Sequence, residues 1–172
     1  MKEKLRLYVE SLINDVPHYV YENLLYLFCI GTLIILAFKG KRSIRWVLSL
    51  LLIEYVFLVY WLTVISRTSI DVRKYTFTPF WSYDDPSLFM EIIMNILLFL
   101  PIGLLLGFVI KGLKWWQVLM IGGGISFSIE MFQFTLMKGF SEVDDVMHNT
   151  MGCMIGYGIY SLIRLGNERV FG

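Results

Sequence analysis

The sequence predicts an all-α fold, a polytopic membrane bundle of about five transmembrane helices preceded by an N-terminal amphipathic helix. Hydrophobic residues make up 57% of the 172 residues and charged residues only 17%, whereas soluble domains are about half apolar and about a quarter charged. The apolar residues are also gathered into five runs, each close to the ~20 residues that cross a bilayer as a helix.

The five apolar runs cover residues 20–38, 45–66, 88–110, 115–136 and 145–164. Strands of a membrane barrel would alternate apolar and polar residues over about ten positions, but the third run reads IIMNILLFLPIGLLLGFVI without such alternation. Little sequence remains for a soluble module, so we expect one membrane domain. A net charge of +1 gives no indication of nucleic-acid binding.

The segment before the first run has the pattern of an amphipathic interfacial helix over residues 1–18. Leu5 and Leu12 lie two turns apart on its apolar side, and basic residues occupy positions between the apolar ones. We therefore divide the chain into this helix, a first transmembrane helix with its basic loop at 19–44, and a membrane domain of four helices at 45–165.

The densest basic cluster lies between the first two runs and consists of Lys39, Lys41, Arg42 and Arg45. Short basic loops remain in the cytoplasm. Because successive spans alternate in direction, this loop predicts an N-terminus outside the cell and a C-terminus in the cytoplasm. Residues 66–87 then face the outside.

Polar side chains lie at helical spacing within three of the runs. Each charge inside a bilayer costs about 2.5 to 3.5 kcal/mol, so that such residues usually pair or face a cavity. The pairs are Glu91 with Asn95, Glu130 with Gln133, and Asp145 with Asn149. Because the spans alternate in direction, the three pairs are expected to meet in the outer half of the membrane.

Two further residues reach the same level. Arg67 ends the second run, and a guanidinium can hold a carboxylate or a phosphate with two hydrogen bonds. Asp144 lies at the rim, where it can also cap the fifth helix at its N-terminus. Glu54, in the middle of the second run, is expected to pair internally, and His148 is expected to be structural.

The polar residues have a purely structural interpretation as well. Buried amides and carboxylates can hydrogen-bond between helices only to hold the bundle together. Gly152 and Gly156 have the spacing of a close helix contact, which would bring the polar residues within reach of one another.

Several motifs follow one another in a fixed order along the chain. Arg67 and the tripeptide Thr78-Pro79-Phe80 come first, followed by E-x-x-x-N-x-x-x-F-x-P-x-G from Glu91, E-x-x-Q from Glu130, and EVDDVMHNTMGCMIGY from Glu142. Together they resemble the VanZ-like family, bacterial membrane proteins named for teicoplanin resistance. The resemblance implies a multi-pass protein of the bacterial plasma membrane linked to glycopeptide or lipoglycopeptide resistance. Phe140 stands where the family often has an arginine, so an anion-binding role there does not carry over.

Three functions are compatible with these residues. The first is a binding site in the outer leaflet for membrane lipids, for a lipid-linked peptidoglycan precursor, or for the glycopeptide antibiotic itself. Arg67 would hold the head of the ligand, and the carboxylates and amides would order Arg67 and donate or accept hydrogen bonds. Its expected residues are Arg67, Glu91, Asn95, Glu130, Gln133, Asp144, Asp145 and Asn149.

The second function is an enzyme, a hydrolase or transferase acting on a lipid headgroup with Glu130 or Asp145 as general base. No cofactor and no metal site is expected, although oxygen ligands of this kind would suit Mg²⁺ or Ca²⁺ as an alternative. The third function is a structural or accessory membrane subunit.

Overall fold

In the computed structural model, residues 18–39, 43–83 and 88–171 are described. Five α-helices account for most of them, as the composition predicts. They are α1 (His18–Lys39), α2 (Ser43–Tyr60), α3 (Phe89–Val109), α4 (Trp115–Leu136) and α5 (Val143–Phe171). The all-α prediction is confirmed. The amphipathic helix predicted over 1–18 falls almost entirely outside the described residues.

Three segments of the described chain are long and apolar enough to cross a membrane by length and composition: Ile44–Ile65, Phe89–Val109 and Trp115–Leu136. The helix α1 contains a shorter apolar segment, Glu22–Ala37. These segments, together with the exposed large hydrophobic side chains along the helices, show a membrane protein. That α1 and α5 also cross remains a prediction.

The end of α2 departs from α-helical geometry. The turn that continues the helix after Tyr60, Trp61–Ile65, is a π turn. The carbonyls that a helix leaves open at its C-terminus need partners. Gln133 Nε2, on α4, donates to Thr63 O at 2.9 Å, and Lys138 Nζ, in the turn after α4, donates to Ile65 O at 3.0 Å. This joint positions the segment that begins with Arg67.

Two short strands join segments that are far apart in sequence. β1 (Lys74–Thr76) pairs in parallel with β2 (Phe140–Glu142), with Tyr75 opposite Ser141. Aromatic and β-branched residues suit a strand, and the pairing draws the loop after α2 onto the start of α5. The apolar runs carry no signal for this sheet, which is therefore not expected from the sequence.

The helices α3 and α5 pack backbone against backbone through glycines. A Cβ atom at Gly103 would lie 1.8 Å from Cys153 O, and one at Gly152 would lie 2.1 Å from Ile96 O. Gly156 approaches Leu100 O in the same way. The close contact predicted from the Gly152 and Gly156 spacing is confirmed, because any side chain would separate these backbones.

Buried apolar residues from α2, α3, α4 and α5 form the core, with Val59, Phe99, Val118 and Cys153 completely buried. Above this core, at the end of the bundle where α3 and α5 begin and α4 ends, the buried residues become polar. That change in composition marks the candidate site.

Candidate functional site

The site is organised around a contact between the second turn of α3 and the first turn of α5. Asn95 Nδ2 donates a 2.6 Å hydrogen bond to Asp145 Oδ1. Arg67 and Glu91 lie close enough to act electrostatically on the Asp145 carboxylate, the first favouring its charge and the second opposing it. Four of the sequence-predicted residues, from three separate segments, therefore lie together.

Glu130 belongs to the same electrostatic cluster. It is only 5% exposed, and its Oε2 accepts a 2.8 Å hydrogen bond from the backbone N–H of Glu142. Both Asp145 and Arg67 act electrostatically on it. A buried carboxylate needs hydrogen bonds in place of water, and β2 provides one by folding back across the end of α4.

The Arg67 side chain is exposed and lies over Gly139, in the turn between α4 and β2. The backbone of Gly139 has a φ of +126°, a conformation that residues other than glycine rarely adopt. A Cβ atom there would stand 2.6 Å from Arg67 Nη1. Gly139 thus leaves room for the guanidinium to lie close to Glu130 and Asp145.

Glu142 extends the carboxylate cluster. Its Oε2 accepts a 2.9 Å hydrogen bond from the indole Nε1 of Trp81. Burial, together with the charges of Asp145 and Glu91, raises the pKa of Glu142 to about 7. This carboxyl group can therefore hold a proton near neutral pH. Glu142 is not among the site residues expected from the sequence, although it begins the EVDD motif, two positions before Asp144.

Asp144 anchors the loop that follows β1. Its Oδ1 accepts a hydrogen bond from Phe80 N at 2.6 Å, and its Oδ2 accepts two from Ser82, from N at 3.0 Å and from Oγ at 2.6 Å. Burial opposes the charge of Asp144, but these hydrogen bonds outweigh it and lower the pKa of this carboxyl below its usual value. Phe80 has a φ of 65°, a conformation unfavourable for a bulky residue, and Asp144 holds it in place.

His148 lies one turn after Asp144 and is 2% exposed. Its Nε2 is 2.9 Å from the hydroxyl of Tyr83, whereas its Nδ1 has no hydrogen-bond partner among the described residues. His148 therefore has a structural position, as expected, and this position is next to the site. Tyr83, Trp81 and Ser82 are site neighbours that the sequence analysis missed, since no pattern within a loop links them to the fifth helix.

Gln133 and Asn149 are both buried, and each uses its amide N–H₂ group on a structural partner. Gln133 donates to Thr63 O, and Asn149 Nδ2 donates to Ser126 Oγ at 2.8 Å. Within the described part of the chain, Oε1 of Gln133 and Oδ1 of Asn149 have no donor. Buried acceptors are rarely left without a partner, so these oxygens are available to a bound group or to water.

Glu54 lies away from this cluster. It lines a cavity of about 250 Å³ between α1 and α2 together with Phe28 and Tyr55. Its Oε1 has no hydrogen-bond partner within residues 18–39, 43–83 and 88–171. The expectation that Glu54 stays outside the site is confirmed, but the internal partner that was expected for this oxygen is not found there, because the facing lining residues are apolar.

In the described part of the chain, no three carboxylate, imidazole or thiol side chains are grouped closely enough to hold a metal ion. What the arrangement offers is a set of carboxylates and amide oxygens with one exposed guanidinium. Such a set can accept hydrogen bonds from an amine, amide or hydroxyl group, and it can bind one anionic group at Arg67.

Comparison with known proteins supports the resemblance drawn from the motifs. A family model described as VanZ/LLP1 matches residues 24–164. The chain is 29% identical over 126 residues to Protein VanZ of Enterococcus faecium, and the alignment covers 72% of this chain and 76% of that protein. No solved structure matches significantly. Because the family match covers most of the chain, this protein belongs to the VanZ/LLP1 family.

Proposed function

We propose that this protein contributes to glycopeptide or lipoglycopeptide resistance, as the resemblance to the VanZ-like family implies, by binding an amphiphile at the polar end of the bundle. The amphiphile would be a lipid-linked cell-wall precursor, a lipid headgroup or a teicoplanin-type antibiotic. The observation that carries the proposal is the convergence of Arg67, Glu91, Asn95, Glu130 and Asp145, since packing contacts alone do not require five polar residues at one depth.

The charges of the cluster favour a particular kind of head. Carboxylates outnumber the single guanidinium, and the unpartnered oxygens of Gln133 and Asn149 require donors. A head with several N–H or O–H donors and one anionic group would satisfy both parts of the site. A peptide-bearing precursor has this combination, so we favour it over a simple phosphate.

The orientation that we propose from the charged loops would put this site on the outer side of the membrane, where such heads are found. The basic loop around Lys41 and Arg42 favours a cytoplasmic position for the opposite end of the bundle. The polar cluster then faces the outer leaflet, with the N-terminus outside and the C-terminus in the cytoplasm. Asp71→Cys and Lys114→Cys, both at exposed positions, test this topology by labelling in intact cells, because only the first cysteine should react with an impermeant reagent.

Binding is tested by native mass spectrometry of the purified full chain supplied with lipid-linked peptidoglycan precursor. We expect the wild type to retain the precursor and Arg67→Gln to lose most of it. Arg73→Gln is the matched control, because Arg73 is exposed in the same loop but stacks on the Phe134 ring at 5.5 Å. Equal retention by all three proteins, or none by the wild type, would contradict the proposal.

An enzymatic function is the second candidate, and the burial of Glu130 favours it. A carboxylate that is 5% exposed and lies among other acidic groups resembles the setting in which a carboxyl group serves as a general base. Labelled headgroup lipids incubated with the protein should then be converted by the wild type and not by Glu130→Gln. Unchanged conversion by this variant would exclude the role.

A further inference from the structure

A second cavity lies at the opposite end of the bundle from the polar cluster. It has a volume of about 400 Å³ and is lined by Arg45, Gly107, Phe108, Lys111, Tyr160 and Arg164, together with Gly112. Arg45 lies near the start of α2, Lys111 follows the end of α3, and Arg164 belongs to the last part of α5. Three cations from three segments therefore line one cavity.

The charge of this cavity is the reverse of that of the polar cluster. Its lining residues contribute three basic side chains and no acidic one, and all three basic residues are exposed. Basic side chains that line one cavity favour an anionic occupant. A guanidinium or ammonium pair is the usual protein partner of a phosphate.

Glycines and aromatic rings shape the cavity. The Tyr160 ring packs on Gly107, where a Cβ atom would lie 2.3 Å from the ring, and it meets the Phe108 ring edge to face at 4.9 Å. Gly112 has a φ of +69°, and no atom lies within 4 Å of the position of its missing Cβ. The backbone at Gly112 is thus accessible to a bound group, and the aromatic rings of Phe108 and Tyr160 line the cavity beside the basic residues.

We propose that this cavity binds the phosphate of an anionic membrane phospholipid. The cations would contact the phosphate, and the Phe108 and Tyr160 side would contact the start of the acyl chains. A lipid suits the position better than free phosphate, because the cavity lies where α2 begins and α3 ends, at the level of a headgroup region. Basic pockets between membrane helices recognise anionic headgroups in this way.

The test uses the purified full chain in a zwitterionic detergent. Phosphatidylglycerol should raise the melting temperature and should be retained in native mass spectra, whereas phosphatidylcholine and inorganic phosphate at the same concentration should do neither. Lys111→Gln should weaken phosphatidylglycerol binding about fivefold, and Lys111→Gln combined with Arg45→Gln should weaken it about 25-fold, since each basic residue contributes roughly equally.

Lys114→Gln is the matched control, because Lys114 is an exposed lysine of the same loop but does not line the cavity. It should bind phosphatidylglycerol as the wild type does, and Lys111→Arg should do so too, since it keeps the charge. The proposal is overturned if Lys111→Gln and Lys114→Gln bind alike, if Lys111→Arg loses binding, or if inorganic phosphate stabilises the protein as well as the lipid does.

Discussion

The Asp145 carboxylate accepts a 2.6 Å hydrogen bond from Asn95, which precedes it by 50 residues. This contact joins the start of α5 to the start of α3, and both Glu91 and Arg67 act electrostatically on the same Asp145 carboxylate. The polar residues thus form one cluster. Substitutions within it and next to it are expected to have distinct and measurable effects.

Asn95→Ala should destabilise the fold. The substitution removes the donor and leaves the Asp145 carboxylate partly buried without it, so we expect the free energy of unfolding to fall by about 1 to 3 kcal/mol. Denaturant unfolding in detergent measures the change. Ser49→Ala is the control, since Ser49 Oγ donates only to Arg45 O of its own exposed turn, and it should change stability by less than about 0.5 kcal/mol. Equal effects would show that the Asn95 bond contributes little.

Asp144→Ala should loosen the loop that carries Phe80 and Ser82. Three hydrogen bonds to one buried carboxylate are lost, and bonds to charged groups are the stronger ones. Hydrogen exchange should accelerate at least tenfold at the Phe80 and Ser82 amides and remain unchanged in the core of α3. Asp71→Ala, at an exposed aspartate before β1, should change neither. Slow exchange in the Asp144 variant would mean that other contacts hold the loop.

Stability should depend on pH through Glu142. Its pKa is raised to about 7, largely by burial, from an ordinary value of 4.5. Between these values the folded protein retains a proton that the unfolded chain has released. The contribution of Glu142 to the free energy of unfolding therefore decreases as the pH rises from about 4.5 to about 7, and it does not change further above about pH 7. The pKa of Asp144 is lowered from 3.8, so protonation of this group changes the stability only at a pH below this range.

Glu142→Gln removes the titrating group while keeping an acceptor for Trp81. We expect its melting temperature to vary less than that of the wild type between about pH 5 and about pH 7. Melting curves recorded in a series of buffers compare the two slopes. Identical slopes would assign the pH dependence to another group.

Gly152→Ala should disrupt the contact between α3 and α5. Its Cβ would lie 2.1 Å from Ile96 O, a backbone atom that cannot move aside alone. Forcing such an atom into a close-packed interface costs about 1 to 3 kcal/mol or more. Gly158→Ala, in the same helix, meets nothing within 4 Å and should stabilise the helix by up to about 1 kcal/mol. The order of the two melting temperatures decides the prediction, and a Gly152→Ala variant as stable as Gly158→Ala would refute it.

The helices follow from composition and local pattern. The apolar run predicted over 115–136 coincides with α4 (Trp115–Leu136), and that predicted over 88–110 nearly coincides with α3 (Phe89–Val109). A membrane helix satisfies its own backbone hydrogen bonds, so a long apolar run is sufficient information for it. The spacing of Gly152 and Gly156 likewise predicts that α5 packs closely on another helix, which the structure shows to be α3.

The grouping of Arg67, Glu91, Asn95, Glu130 and Asp145 could be anticipated, because helical spacing and alternating direction bring such residues to one end of a bundle. The partners of each residue could not. Whether Asp144 caps its own helix or holds the loop at Ser82 depends on the pairing of β1 with β2, which are 66 residues apart in register. Short strands leave no periodic signal, so only the tertiary packing of α4 and α5 under this loop decides which carboxylates stabilise the fold and which remain available to a ligand.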